Sequence, residues 1–269
     1  MPSLDGLVAR LDRLGRVLLG YSGGVDSAFL AVVGVRALGP DRFLAVIGRS
    51  PSYPEVQYEA ATRLARDFGV PLHELATQEM HDPRYLANPT DRCFFCKDEL
   101  WSRLGALATA RAFDAVVDGT NADDLGEHRP GLRAAAIHGV RSPLAELGWR
   151  KADIRAASRE LGLPGWDAPA APCLSSRVAY GLAITPERLA AVEQGEAWLR
   201  TQGVTGDLRV RHLGDTARLE VSSDQFGRIT AAWPEVERRF AALGFARVEL
   251  DPRGYRRGSL LQVLDGVGA

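Results

Sequence analysis

The chain has 269 residues, 33 Lys and Arg against 34 Asp and Glu, a net charge of -1, and 46% hydrophobic and 25% charged residues. This is ordinary globular composition, which excludes disorder, collagen and coiled coil. The length serves one large or two modest domains, each able to bury its own core. The balanced charge argues against a chain built to coat nucleic acid or an anionic membrane. Only two basic residues are Lys, at positions 97 and 151, a feature read as coding bias. No apolar run approaches the ~20 residues of a membrane span. The polar stretch Met1 to Gly15 reads as an amphipathic helix and not as a signal peptide. The expected compartment is the cytoplasm, and a homo-oligomer is the expected assembly.

In chain order, Val17 to Tyr21 (VLLGY) predicts a strand, followed by a Gly/Ser loop and a helix from Ser27 to Leu38. Strands follow at Phe43 to Ile47, Pro71 to Leu75 and Ala115 to Val117, with helices at Pro54 to Phe68 and Leu100 to Ala112 between them. This alternation predicts an α/β fold, a parallel sheet with helices on both faces. Past a Pro/Gly/Ala-rich stretch, Leu163 to Pro172, the pattern changes. The chain then reads as helix 185–202, strands 208–212 and 217–221, helix 224–243 and strand 247–250. Two domains are expected, 1–179 and a smaller α+β unit, 180–269.

The loop Ser22-Gly23-Gly24-Val25-Asp26-Ser27 joins a buried strand to a helix. Two glycines let several amide N–H groups converge on one anion, and the helix start adds its positive dipole end. Ser22 and Ser27 add hydroxyl donors. The string lacks the Lys of a Walker A loop and the spacing of the dinucleotide fingerprint. It resembles the pyrophosphate loop (PP-loop) of the N-type ATP pyrophosphatases, which include NAD synthetase and several sulfur-inserting enzymes. The resemblance implies that ATP is cleaved between its α and β phosphates to adenylate a carboxylate or carbonyl. Asp118-Gly119-Thr120-Asn121-Ala122-Asp123-Asp124 follows the fourth strand and resembles the second motif of the same superfamily. Carboxylates beside a triphosphate serve Mg²⁺, and Asp26 and Asp124 are the expected ligands. Asn121 and Asp123 are further candidates, and Gly119 and Thr120 join the loop in holding ATP.

Cys93 and Cys96 form a C-x-x-C flanked by Arg92 and Lys97, and Cys173 lies 77 residues beyond Cys96. A redox pair, a Zn²⁺ site completed by one of the five histidines (His73, His81, His128, His138, His212), and a [4Fe–4S] cluster with one open iron are the alternatives. The string Trp166 to Arg177 (WDAPAAPCLSSR) narrows them. With Arg129-Pro130-Gly131, Leu208-Arg209-Val210-Arg211-His212 and Gly254 to Leu260, it resembles the LarE family over nearly the whole chain. Those are ATP-dependent sulfur transferases that make the nickel-pincer nucleotide of lactate racemase. The resemblance implies adenylation of a nicotinic-acid-derived mononucleotide and replacement of AMP by sulfur, from a donor the residues do not specify.

In one kind of member, a cysteine matching Cys173 gives up its own sulfur. In the other, that cysteine and a C-x-x-C pair hold a [4Fe–4S] cluster, and the three cysteines here resemble the second kind. The resemblance further implies catalytic roles for Asp26, Cys173 and Lys97. It implies a substrate-phosphate site at Arg209, Arg211, Arg218 and Glu220, and roles for Ser176 and Arg177. A tRNA thiolase is the nearest rival. From residue 180 onward, however, 12 Arg face 12 acidic residues with no Lys, a poor balance for RNA. A nucleotide sensor of the universal-stress type and a Zn²⁺-bearing deazapurine synthase are more distant.

Overall fold

The computed structural model describes residues 2–126, 130–169, 172–256 and 259–260. His128, Arg129, Ala170, Ala171, Arg257 and Gly258, all named above, lie outside them. By internal contacts the chain forms two units, Met1–Asp82 with Asp91–Ala171, and Pro83–Thr90 with Pro172–Ala269.

In the first unit α1 (Leu4–Asp12), capped by the Ser3 hydroxyl, precedes β1 (Val17–Tyr21) and α2 (Val25–Leu38). Next come β2 (Phe43–Arg49), α3 (Glu55–Asp67) and β3 (Leu72–Ala76). After α4 (Pro83–Leu86), which groups with the second unit, follow α5 (Arg92–Ala110) and β4 (Ala115–Val117). The unit closes with α6 (Pro130–Ile137), α7 (Pro143–Glu146) and α8 (Lys151–Glu160). The four strands are all parallel, in the order β3-β2-β1-β4.

Alternate residues of β1 feed opposite faces, as strand geometry requires. Val17, Leu19 and Tyr21 join Leu7, Phe29, Leu64 and Ile154 of α1, α2, α3 and α8, while Leu18 joins Trp101, Leu104 and Ala134 of α5 and α6. Helix α2 is apolar nearly all round and correspondingly buried. The chain runs outward through β2 and β3, then returns to β4 on the other side of β1. The carboxyl ends of β1 and β4 therefore form the topological switch point, where open α/β sheets bind ligands.

The second unit carries α9 (Pro186–Thr201), capped by Thr185 with Pro186 at its first position, then β5 (Leu208–His212) and β6 (Thr216–Val221). Helices α10 (Phe226–Ala231) and α11 (Trp233–Ala242) and strand β7 (Arg247–Leu250) complete it. Strand β6 pairs antiparallel with β5 and parallel with β7. The single helix expected over 224–243 is divided at Ala232, because Pro234 has no N–H to continue the ladder. The expected division at 179/180 falls inside the second unit, which begins at Pro172 and also takes Pro83–Thr90. Asn88, fully buried with φ 54°, anchors that strap. Its amide donates to the carbonyls of Val178, Ala179 and Leu182, and Tyr85 OH meets Ser175 Oγ at 2.5 Å.

Candidate active site

The loop after β1 is shaped by one forced approach. Gly23 has φ +67°, and a Cβ there would lie 2.4 Å from the Ala61 Cβ. The Ser22 carbonyl accepts from Tyr53 OH and Gln57 Nε2, both at 2.9 Å. The Ser22 and Ser27 hydroxyls meet at 3.1 Å, and Ser27 Oγ donates to the Gly24 carbonyl. Gly24 caps α2 with no side chain of its own, so the first N–H groups of the helix, from Val25, point into the loop. Gly119, at the end of β4, closes the other side. A Cβ there would stand 2.9 Å from the Ser27 nitrogen and 3.2 Å from the Asp26 carbonyl carbon.

Behind the loop the acidic residues divide by role. Asp118 is a structural acceptor, taking the Thr120 N–H and hydroxyl and the Ser142 hydroxyl. Asp123 accepts from the Lys151 N–H at 2.9 Å, tying the start of α8 to this loop. Asn121 is fully buried and holds the other two. Its Nδ2 donates to Asp26 Oδ2 at 3.0 Å, and its N–H donates to Asp124 Oδ2 at 3.3 Å. Burial raises the Asp26 pKa above the usual carboxylate range; the Asn121 hydrogen bond opposes this, and the Asp124 charge adds to it.

The Lys151 ammonium sits 2.9 Å from Asp124 Oδ1. Two neighbouring carboxylates with a cation already drawn to them fit a hard, oxygen-seeking ion such as Mg²⁺. Sequence reasoning missed Tyr53, Gln57 and Lys151. The first two carry no local signal, while the third stood out only by being Lys.

Cys93 and Cys96 sit one turn apart at the start of α5, which begins eight residues earlier than the helix expected from Leu100. Phe94 and Phe95 stack edge to face at 5.6 Å. Lys97 lies over the Trp101 ring, 5.1 Å from its centroid, and packs beneath Gly131 of α6. None of the three cysteines is in a disulfide; Cys93 is exposed, and Cys96 and Cys173 are half-buried. Among the described residues no three His, Cys, Asp or Glu side chains form a group able to hold a metal ion. The thiol donors themselves suit iron–sulfur ligation, with two in the first unit and Cys173 in the second.

Cys173 precedes a short 3₁₀ turn (Leu174–Arg177). Its carbonyl accepts from the Ser176 N–H, the Ser176 hydroxyl at 2.7 Å and Arg177 Nη1 at 2.9 Å. Arg177 Nη1 also donates to the Pro172 carbonyl. The Arg177 guanidinium pairs with Glu196, which also accepts the Val210 N–H.

Arg209, Arg211, Arg218 and Glu220 face one side of the β5–β6 pair, as their register requires. Arg211 is fully committed there. Its Nε and Nη2 contact Glu220 Oε2 at 2.9 and 2.8 Å, Nη1 donates to the Ser176 carbonyl, and Nη2 donates to the Ser259 hydroxyl. Ser259 donates in turn to Glu220. Arg218 pairs with Glu249 of β7 near the surface. Arg209 is buried, lies over the Tyr255 ring at 5.2 Å and donates to the Leu208 carbonyl. Burial lowers its pKa, and the nearby Arg177 charge lowers it further. Among the described residues three guanidiniums (177, 209, 211) thus gather with two carboxylates (196, 220).

Among the described residues no helix is long and apolar enough to cross a membrane. Residues 4–117 match the NAD synthase family. The chain is 43% identical to an uncharacterized protein of Synechocystis sp., over 97% of each. It is 34% identical to the pyridinium-3,5-bisthiocarboxylic acid mononucleotide synthase of Lactiplantibacillus plantarum, over 96% of this chain and 93% of that one. A protein of Methanocaldococcus jannaschii is 30% identical over 90% of this chain and 91% of its own.

Proposed function

Because the chain belongs to the family of the pyridinium-3,5-bisthiocarboxylic acid mononucleotide synthase, with a NAD synthase-like PP-loop region, we propose that it is an ATP-dependent sulfur transferase acting on a pyridinium mononucleotide. The observation that carries the reading is the pyrophosphate loop, seated at the switch point and closed by Gly119 against the start of α2. A substrate carboxylate oxygen bonds to the α-phosphorus of ATP. The bond to the bridging oxygen breaks, and pyrophosphate leaves with the electron pair. Sulfur then bonds to the acyl carbon as AMP departs, giving a thiocarboxylate.

The N–H groups of Gly23, Gly24 and Val25 and the Ser22 and Ser27 hydroxyls hold the departing phosphates, with Gly119 and Thr120 along the opposite wall. Asp26 and Asp124 would hold Mg²⁺, which when bound neutralises the phosphate oxygens. Asn121 aligns both carboxylates, and Asp123 serves by fixing α8. In the second unit Arg209 takes the substrate phosphate, with the Arg177 and Arg211 charges beside it. Arg211 and Glu220 brace that site from within, and Arg218 lies at its margin.

Ser176 and Arg177 fix the backbone that presents Cys173. Cys93, Cys96 and Cys173 would hold a [4Fe–4S] cluster, which when bound carries the added sulfide that is transferred. The chain leaves the second unit at Thr90, three residues before Cys93. Lys97, one residue past the pair, neutralises the anionic substrate there. The end product serves a nickel-pincer nucleotide. The deciding experiment incubates the protein with ATP, Mg²⁺ and the dicarboxylate mononucleotide and resolves the products by ³¹P NMR. AMP and pyrophosphate are expected; ADP and orthophosphate as the only products refute the proposal.

A further inference from the structure

Two of the 33 basic residues are Lys, and the site gives one of them a reason. In a chain that uses Arg at nearly every cationic position, 151 keeps an ammonium. Asp123 holds the Lys151 N–H at 2.9 Å, which fixes its α-carbon beside the acidic loop. From there Nζ reaches Asp124 Oδ1 at 2.9 Å; the Asp124 side chain is 7% exposed and that of Lys151 38%. The second Asp124 oxygen accepts the Asn121 N–H, the Asn121 amide holds Asp26, and the Lys151 charge is felt at Asp26 as well. A guanidinium is a rigid planar fork that prefers two oxygens at once; an ammonium is a compact point charge on a flexible stem. The second set of properties suits a cation that must let go.

We propose that Lys151 is a placeholder cation. Its ammonium occupies the Asp124 carboxylate until a divalent ion arrives with ATP, then swings to the oxygens of the departing pyrophosphate. The inference rests on the reading of Asp26 and Asp124 as metal carboxylates. Withdrawing positive charge from a buried carboxylate is costly, and the exchange replaces what Lys151 contributes beside Asp124 with the charge of the arriving ion. Pyrophosphate gains charge as its bond to the α-phosphorus breaks, and a cation delivered at that moment acts on the transition state.

The test uses the full-length, nucleotide-free protein and Mn²⁺ alone, with unbound metal counted by electron paramagnetic resonance. Lys151→Met should bind Mn²⁺ about tenfold more tightly than wild type, the change that ~1.4 kcal/mol of lost competition produces. Lys151→Gln serves in its place if the Met variant fails to fold. Arg155→Met, which removes a nearby cation whose charge also reaches Asp26, should change Mn²⁺ affinity less than twofold, and Asp124→Asn should abolish tight binding. Unchanged or weaker Mn²⁺ binding in the Lys151 variants, or equal tightening in Arg155→Met, overturns the proposal. In turnover, Lys151→Met should lower kcat at saturating Mg²⁺ and ATP with little change in KM; an unchanged kcat overturns the transfer to pyrophosphate. Should wild type not cleave ATP while the Mn²⁺ competition holds, the proposed function falls and the placeholder stands.

Discussion

Replacing Gly119 with Ala tests whether the closure of the pyrophosphate loop is built for contact or merely permits it. The added Cβ would stand 2.9 Å from the Ser27 nitrogen, 3.0 Å from its Cα and 3.2 Å from the Asp26 carbonyl carbon. All three are backbone atoms of the first turn of α2, so no side chain can rotate away. Reaching ordinary contact requires the loop after β4 and the start of α2 to part by about 0.5 Å, and overpacking of this kind costs ~1–3 kcal/mol. The displaced turn is also the one whose N–H groups face the phosphates, and misplacement of ~1 Å costs about a hundredfold in rate. Gly119→Ala should therefore lower the urea midpoint and reduce kcat/KM for AMP formation about tenfold. Gly105→Ala is the control. Gly105 lies inside α5 with open space at its Cβ position, and Ala there should stabilise by about 0.5–1 kcal/mol. The reasoning is refuted if Gly119→Ala retains wild-type stability and wild-type kcat/KM.

The Arg211–Glu220 pair is nearly inaccessible and Arg218–Glu249 is partly exposed. Arg211→Ala should then cost ~3–5 kcal/mol in chemical unfolding and Arg218→Ala less than ~1 kcal/mol; equal costs would contradict the burial argument. Arg209→Ala should weaken mononucleotide binding by calorimetry at least tenfold, as loss of one charged hydrogen bond is worth ~1.5–3 kcal/mol, and leave ATP affinity unchanged. His212 is buried against Phe245, and burial holds its pKa at about 4, below the ordinary 6.5, with the Arg188 charge adding to this. Because the unfolded state binds that proton first, stability is full above pH 6.5 and declines toward pH 4, by up to about 3 kcal/mol. His212→Gln should flatten the pH dependence of the urea midpoint, and an unaltered slope would count against it. Anaerobic protein should be brown with about four irons per chain, and Cys93→Ala or Cys96→Ala should bleach it; full multiple-turnover sulfur transfer in those variants would point to Cys173 acting alone.

The sheet was legible because its strands are short apolar runs closed by turn residues, and β1, β2, β3 and β4 all appear where periodicity put them. The pyrophosphate loop was legible because its glycines and hydroxyls are contiguous. What the sequence hid was long-range. Helix α5 begins at Arg92, but Arg-Cys-Phe-Phe-Cys-Lys has no apolar repeat, and its N-cap, Asp91, makes no side-chain cap. The strap Pro83–Thr90 looks like a local linker; its allegiance depends on Asn88 meeting carbonyls some 90 residues away. Arg211 lies on the strand face expected to bind phosphate, and nothing local announces its pairing with Glu220 and Ser259, 9 and 48 residues on. The Lys pair was visible from the outset as arithmetic, with no chemistry attached until Asp124 stood beside one member.

The strap also sets the chain's covalent topology. The polypeptide passes between the two units three times, after Asp82, after Thr90 and after Ala171. A single proteolytic cut near residue 172 would therefore not liberate two intact halves. The C-terminal fragment would lose Asn88 and Tyr85, leaving the carbonyls of Val178, Ala179 and Leu182 and the Ser175 hydroxyl without the partners the strap provides. Attempts to dissect it for study will succeed only if residues 83–90 travel with the C-terminal piece, by circular permutation or by a second chain.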